Sequence, residues 1–133
     1  GDKVNPQSAT YLKASKIEEA ILGLMQLYPS HLKICVERLK PDDFVTEFCK
    51  KVFLKITECY IQIGRFDIAF IEEHFSVDEI SRITKMMAQR QQLTENGIDV
   101  LNNLIDSLLE QKAEEKDEDD IDSILGAINK KKK

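Results

Sequence analysis

The chain has 133 residues, 42% hydrophobic and 32% charged, with a formal net charge of −5. That length carries one domain with its own core, and the negative balance argues against a general nucleic-acid surface, which needs basic groups for phosphate. Five glycines and three prolines are too few for the frequent turns of a β-rich fold, and no apolar run approaches the ~20 residues of a membrane helix.

Residues 1–10 are polar, contain Pro6 and read as the remnant of a linker. Gly1 in place of an initiator Met reads as a cleavage scar on a piece of a longer protein, and no secretion signal is visible. A first helix is predicted from between Tyr11 and Ser15 to Tyr28. Its stripe is Ile17, Ile21, Leu24, Met25 and Tyr28, widened by Leu22 and Leu27. Pro29 and Ser30 stop it and open a second helix, His31 to Leu39, carrying Leu32, Cys35, Val36 and Leu39. Lys40 to Phe44 is a turn. A third helix, Thr46 to Ile63, turns Phe48, Val52, Phe53, Ile56 and Tyr60 inward and ends at Gly64. Asp67 to His74 is a short helix with Ile68, Phe70, Ile71 and Phe75 inside.

Ser76 and Glu79 have the spacing of a capping box. They open a helix from Val77 to Gln91 with Ile80, Ile83 and Met87 inward and the Met86–Met87 pair as core filler. After a polar break from Gln91 to Gly97, a helix from Ile98 to Glu115 presents Ile98, Leu101, Leu104, Ile105, Leu108 and Leu109.

The apolar face then stops. Residues 110–122 hold eight acids and two lysines, a net of six negative charges. Apolar character resumes at Ile121, Ile124, Leu125 and Ile128, a stripe at i, i+3, i+4 and i+7. Acids ahead of it and Lys130 to Lys133 behind it suit the helix dipole. So short a helix is marginal alone in water, so it must dock, on the bundle or on a partner. The expected architecture is all-α: a bundle of about six helices over residues 11–108, then a C-terminal helical hairpin over 109–133 that turns near Glu115 to Glu118. Leu108, Leu109, Ile121, Ile124, Leu125 and Ile128 are the expected partner-facing residues.

Catalytic signals are sparse. His31 and Cys35 are spaced to share a metal on one helix, but a zinc site needs further ligands and no Cys-x-x-Cys pair exists. A small metal hydrolase built on these two residues is therefore only a third reading, and no catalytic, cofactor-binding or metal residue is expected. Adjacent acids at Glu18–Glu19, Asp42–Asp43 and Glu72–Glu73 point in different directions on a helix and read as caps and solvated faces. Cys35, Cys49 and Cys59 read as free buried thiols of a reducing cytoplasm.

The stretch from Ile17 to Met25, then Tyr28-Pro29, then Leu39-Lys40-Pro41-Asp42-Asp43-Phe44, Val52-Phe53 and Ile63-Gly64 with Phe66-Asp67-Ile68, resembles a module shared by two bacterial replication proteins. These are the N-terminal domain of the replicative DNA helicase and the C-terminal helicase-binding domain of the replicative primase. The shared part covers residues 15–75. The segment from Ile98 to Lys112, a charged break and a last short helix are similar to the primase domain, and an end in four lysines favours it. This resemblance implies a non-catalytic piece of a primase. It would bind the N-terminal domains of the hexameric helicase ring, bring primase to the fork for primer synthesis and modulate both activities. It would be cytoplasmic, a monomer in isolation, and without membrane or direct nucleic-acid contacts. The alternative is the N-terminal assembly domain of the helicase itself, which predicts self-association.

Overall fold

The computed structural model describes residues 1–131, without the side chains at 115–120, 122–123 and 127–131. Among the described residues every regular element is helical: α1 (Leu12–Leu27), α2 (Pro29–Arg38), α3 (Glu47–Ile63), α4 (Ile68–Ile71), α5 (Val77–Gln91) and α6 (Ile98–Lys131). One-turn 3₁₀ helices lie at Pro6–Ser8, Pro41–Asp43 and Glu72–His74. The all-α bundle is the fold class that the periodicity predicts.

α1 is the centre of the bundle, with α2, α3, α5 and α6 packed on it. Its second half buries Ile21, Leu22, Gly23, Leu24 and Met25 in succession. A helix surrounded by neighbours must be apolar all round rather than striped. α3 adds Phe48, Cys49, Val52, Phe53, Ile56 and Cys59, and Phe53 stacks on Phe44 with ring centroids 4.7 Å apart. α6 contributes Leu101, Ile105 and Leu108, and Arg38 of α2 fastens it through an ion pair of 2.8 Å with Asp106.

α5 contributes Ile83 and Met86. Met86 rather than the expected Met87 is buried, and its backbone lies against Gly23 of α1. A Cβ added to Gly23 would lie 2.4 Å from the Met86 carbonyl oxygen, so the two backbones touch there. Ile98, also expected inside, is exposed in the first turn of α6.

Local signals form as read. Ser76 Oγ accepts from the Glu79 N–H at 3.1 Å while the Glu79 carboxylate accepts from the Ser76 N–H at 2.8 Å. Gly64 closes α3 at φ 75°, and its N–H donates to the Tyr60 carbonyl at 2.8 Å. That left-handed conformation carries little penalty for glycine.

Both chain ends depart from expectation. Residues 1–10 are not a linker remnant: Asn5 is buried and Val4 packs on the core. At the other end α6 is one helix from Ile98 to Lys131, with no turn near Glu115 to Glu118 and no hairpin. No glycine or proline occurs between Ile98 and Leu125. Glu, Lys, Ala and Leu all favour helix, so a run of acids does not break it. None of the described helices is long and apolar enough to cross a membrane.

Candidate functional site

The polar interior is built around the start of α3. The first N–H groups of a helix lack intrahelical partners, and here residues distant in sequence supply them. Glu18 of α1, fully buried, accepts from the Val45 N–H at 2.6 Å, the Thr46 N–H at 3.3 Å and the Thr46 hydroxyl at 2.7 Å. Gln7 Oε1 accepts from the Glu47 N–H at 2.6 Å, and Asn5 Nδ2 donates to Thr46 Oγ1 at 3.2 Å. A carboxylate is favoured at a helix N-terminus by the dipole as well as by the donors. Glu18 is thus a cap supplied by another helix, not a general base.

Beside this cluster, Arg82 of α5 donates through both terminal nitrogens to the Asp2 carboxylate, and its Nε lies 3.4 Å from Glu19 Oε1. Asp2 also accepts from the N–H groups of Val4 at 3.0 Å and Asn5 at 2.9 Å. Burial pushes the Asp2 carboxyl up, but the Asn5 N–H, Arg82 and the Val4 N–H outweigh it and hold the group below the usual carboxylate range. For Glu19 burial wins over Arg82, and its pKa is raised. A groove of about 340 Å³ opens here between α1 and α5, lined in part by Lys16, Glu19, Arg82, Lys85, Arg90 and Leu93.

His31 and Cys35 do not form a metal site. His31 Nε2 lies 2.6 Å from the Asn96 carbonyl oxygen, an acceptor, so this nitrogen carries the proton. Asn96 in turn donates to the Arg90 carbonyl at 2.7 Å and accepts from Arg90 Nε at 3.0 Å. The polar break after α5 is therefore a built loop. Cys35 lies in the core, where burial pushes its thiol up to about 12, and burial also raises Cys49. Such thiols stay protonated and are poor nucleophiles and ligands. Among the described residues no group of three or more His, Cys, Asp or Glu is placed to hold a metal.

The residues expected to face a partner separate into two sets. Leu108 is 0% exposed and belongs to the core, so it is not available to a partner in this fold, and Leu109 packs partly buried against that core. The helical register of α6 turns Leu108 into the core, on the same face as Leu101 and Ile105. Ile121, Ile124 and Leu125 are 55%, 59% and 53% exposed and lie together on the outer part of α6. The Ile128 side chain lies outside the described residues. Sequence reading missed the exposed Tyr28, Leu93 and Ile98, which line one groove at the end of the bundle. Leu93 carried a signal, as a large apolar residue inside a polar loop.

Residues 11–116 match the family described as DnaB-like helicase N terminal domain. No curated protein and no solved structure matches the chain. The family match decides between the two modules that residues 15–75 resemble. It overturns the assignment to the C-terminal helicase-binding domain of primase, and with it primer synthesis, the primosome setting and a primase parent. The features that favoured primase, a charged break and a separate last helix, fall on the single helix α6.

Proposed function

The chain belongs to the DnaB-like helicase N terminal domain family, and from that we propose that it is a non-catalytic domain that assembles copies of itself. The observation that carries this reading is the apolar stripe of Ile121, Ile124 and Leu125, each more than half exposed. Ile128, seven residues beyond Ile121, continues the stripe in the sequence. α6 runs 22 residues past Leu109, about 33 Å at 1.5 Å per residue. An apolar helix face carried clear of its own core is the kind of surface that docks in a groove of another chain. The helicase expected as partner then becomes a second copy of a DnaB-like helicase N-terminal domain, in DNA replication.

Sedimentation equilibrium of the full chain tests this. Association should rise with concentration. Replacing Ile124→Asp together with Leu125→Asp should weaken it on the order of a hundredfold, from the burial of two aliphatic side chains, while far-UV circular dichroism keeps the signature of a folded bundle. A parent chain that remains monomeric into the high micromolar range refutes the reading.

A further inference from the structure

The loop between α5 and α6 is organised by one side chain. Asn96 Nδ2 donates to the carbonyl oxygens of Arg90 at 2.7 Å and Leu93 at 2.9 Å, and Asn96 Oδ1 accepts from Arg90 Nε at 3.0 Å. Both halves of the amide are thus used, and two carbonyls on one side with a guanidinium on the other fix its orientation. The Asn96 main-chain carbonyl accepts from His31 Nε2 at 2.6 Å, which ties the loop to α2. A terminal nitrogen of Arg90 donates to the Glu95 carbonyl at 2.8 Å. Only an amide serves here. An ionised aspartate has acceptors alone, so one of its oxygens would face the Arg90 and Leu93 carbonyls where a donor is needed. Its charge would also stand at the C-terminus of α5, the negative end of the helix dipole.

The residue after Asn96 is Gly97, whereas the other asparagines, at 5, 102, 103 and 129, are followed by proline, asparagine, leucine and lysine. With no side chain at residue 97, nothing on that residue hinders its amide nitrogen from reaching the Asn96 side-chain carbon. We propose that Asn96 is a self-modification site: the closed loop holds it as asparagine, and opening of the loop releases it to deamidate. In this step the Gly97 nitrogen bonds to Asn96 Cγ and the Cγ–Nδ2 bond breaks. Nδ2 leaves as ammonia and takes the proton of the Gly97 N–H. Water then opens the succinimide ring, giving aspartate when it adds at Cγ and isoaspartate when it adds at the Asn96 main-chain carbonyl carbon. The hydrogen bonds to Arg90 and Leu93 keep the amide turned back on α5, so the reaction runs through the fraction of molecules in which this loop is open. The product cannot remake the same bonds, and the change is one-way. α5 loses its cap, His31 loses a fixed acceptor, and the groove lined by Tyr28, His31, Leu93 and Ile98 loses a wall. None of this depends on assembly through α6.

Incubation of the full chain at mildly alkaline pH, followed by peptide mapping with mass spectrometry, tests the proposal. Aspartate and isoaspartate should accumulate at residue 96 ahead of any other asparagine. The folded chain should react at least about tenfold more slowly than the chain unfolded in urea. Arg90→Met keeps a stem of similar length and removes the donors, and should speed the folded chain about tenfold, the effect of one charge-assisted hydrogen bond. The thermal midpoint verifies that the variant folds. Should it not fold, His31→Phe takes its place: it removes the donor to the Asn96 carbonyl and should speed the reaction severalfold. Asn96→Asp, which makes the product directly, should unfold at lower urea concentration than the parent. A folded chain that deamidates at residue 96 as fast as the unfolded one overturns the inference. So does a folded variant that reacts at the parental rate, or an Asn96→Asp chain with the parental urea midpoint.

Discussion

Glu18 performs from another helix the task that a cap residue performs locally. Glu18→Ala should lower stability to urea by about 3 kcal/mol, since it strips buried donors at Val45 and Thr46 of their acceptor. Glu18→Gln should lose less, because its amide oxygen still accepts. This role was not legible in the sequence: Glu18 and Glu19 look alike there, and the donors that separate them stand 27 and 28 residues away. Asp2 carries a pH dependence. Its folded pKa is depressed, so its stabilisation is fully present above the usual carboxylate range and is lost as pH falls through the lower folded value. Glu19 has the opposite sign: its raised pKa adds stability as pH falls through that value. Asp2→Asn should therefore lower the urea midpoint at neutral pH and flatten its decline in acid. An unchanged profile would mean that the Asp2–Arg82 pair is not formed in solution.

At the level of elements, the distance between α1 and α5 depends on one missing side chain. Gly23→Ala places a methyl group against the Met86 backbone, which cannot swing aside as a side chain can. The expected loss is about 2 kcal/mol by overpacking, read from thermal or urea unfolding. Gly126→Ala on α6 meets no atom within 4 Å and should instead strengthen its helix by about 0.5–1 kcal/mol, visible as added helical signal. The two glycines look equivalent in sequence, since what crowds Gly23 comes from a segment more than sixty residues away. Signals confined to one turn were legible: the Ser76–Glu79 box and the Gly64 stop both formed. The acidic run was misread because charge density was taken as a break, although no helix-breaking residue was present.

The whole molecule divides into a body and an arm. Among the described residues of α6 the buried ones are Leu101, Ile105 and Leu108, so deleting residues 113–133 should leave the thermal midpoint within about 3 °C while helical signal drops and self-association disappears. A collapse of the midpoint would show that the arm packs on the body. At this scale the fold class was legible from periodicity. The choice between helicase and primase was not, because residues 15–75 are common to both and the deciding expectation rested on the tail. The other end has a consequence in time. Asp2 precedes its partner Arg82 by 80 residues. At about 5–20 residues per second on the ribosome, the residues around Asp2 wait roughly 4–16 s for the helix that fastens them. The strap that caps α3 is thus synthesised well before the helix that secures it, and its docking on Arg82 marks the moment at which the bundle through α5 has been made.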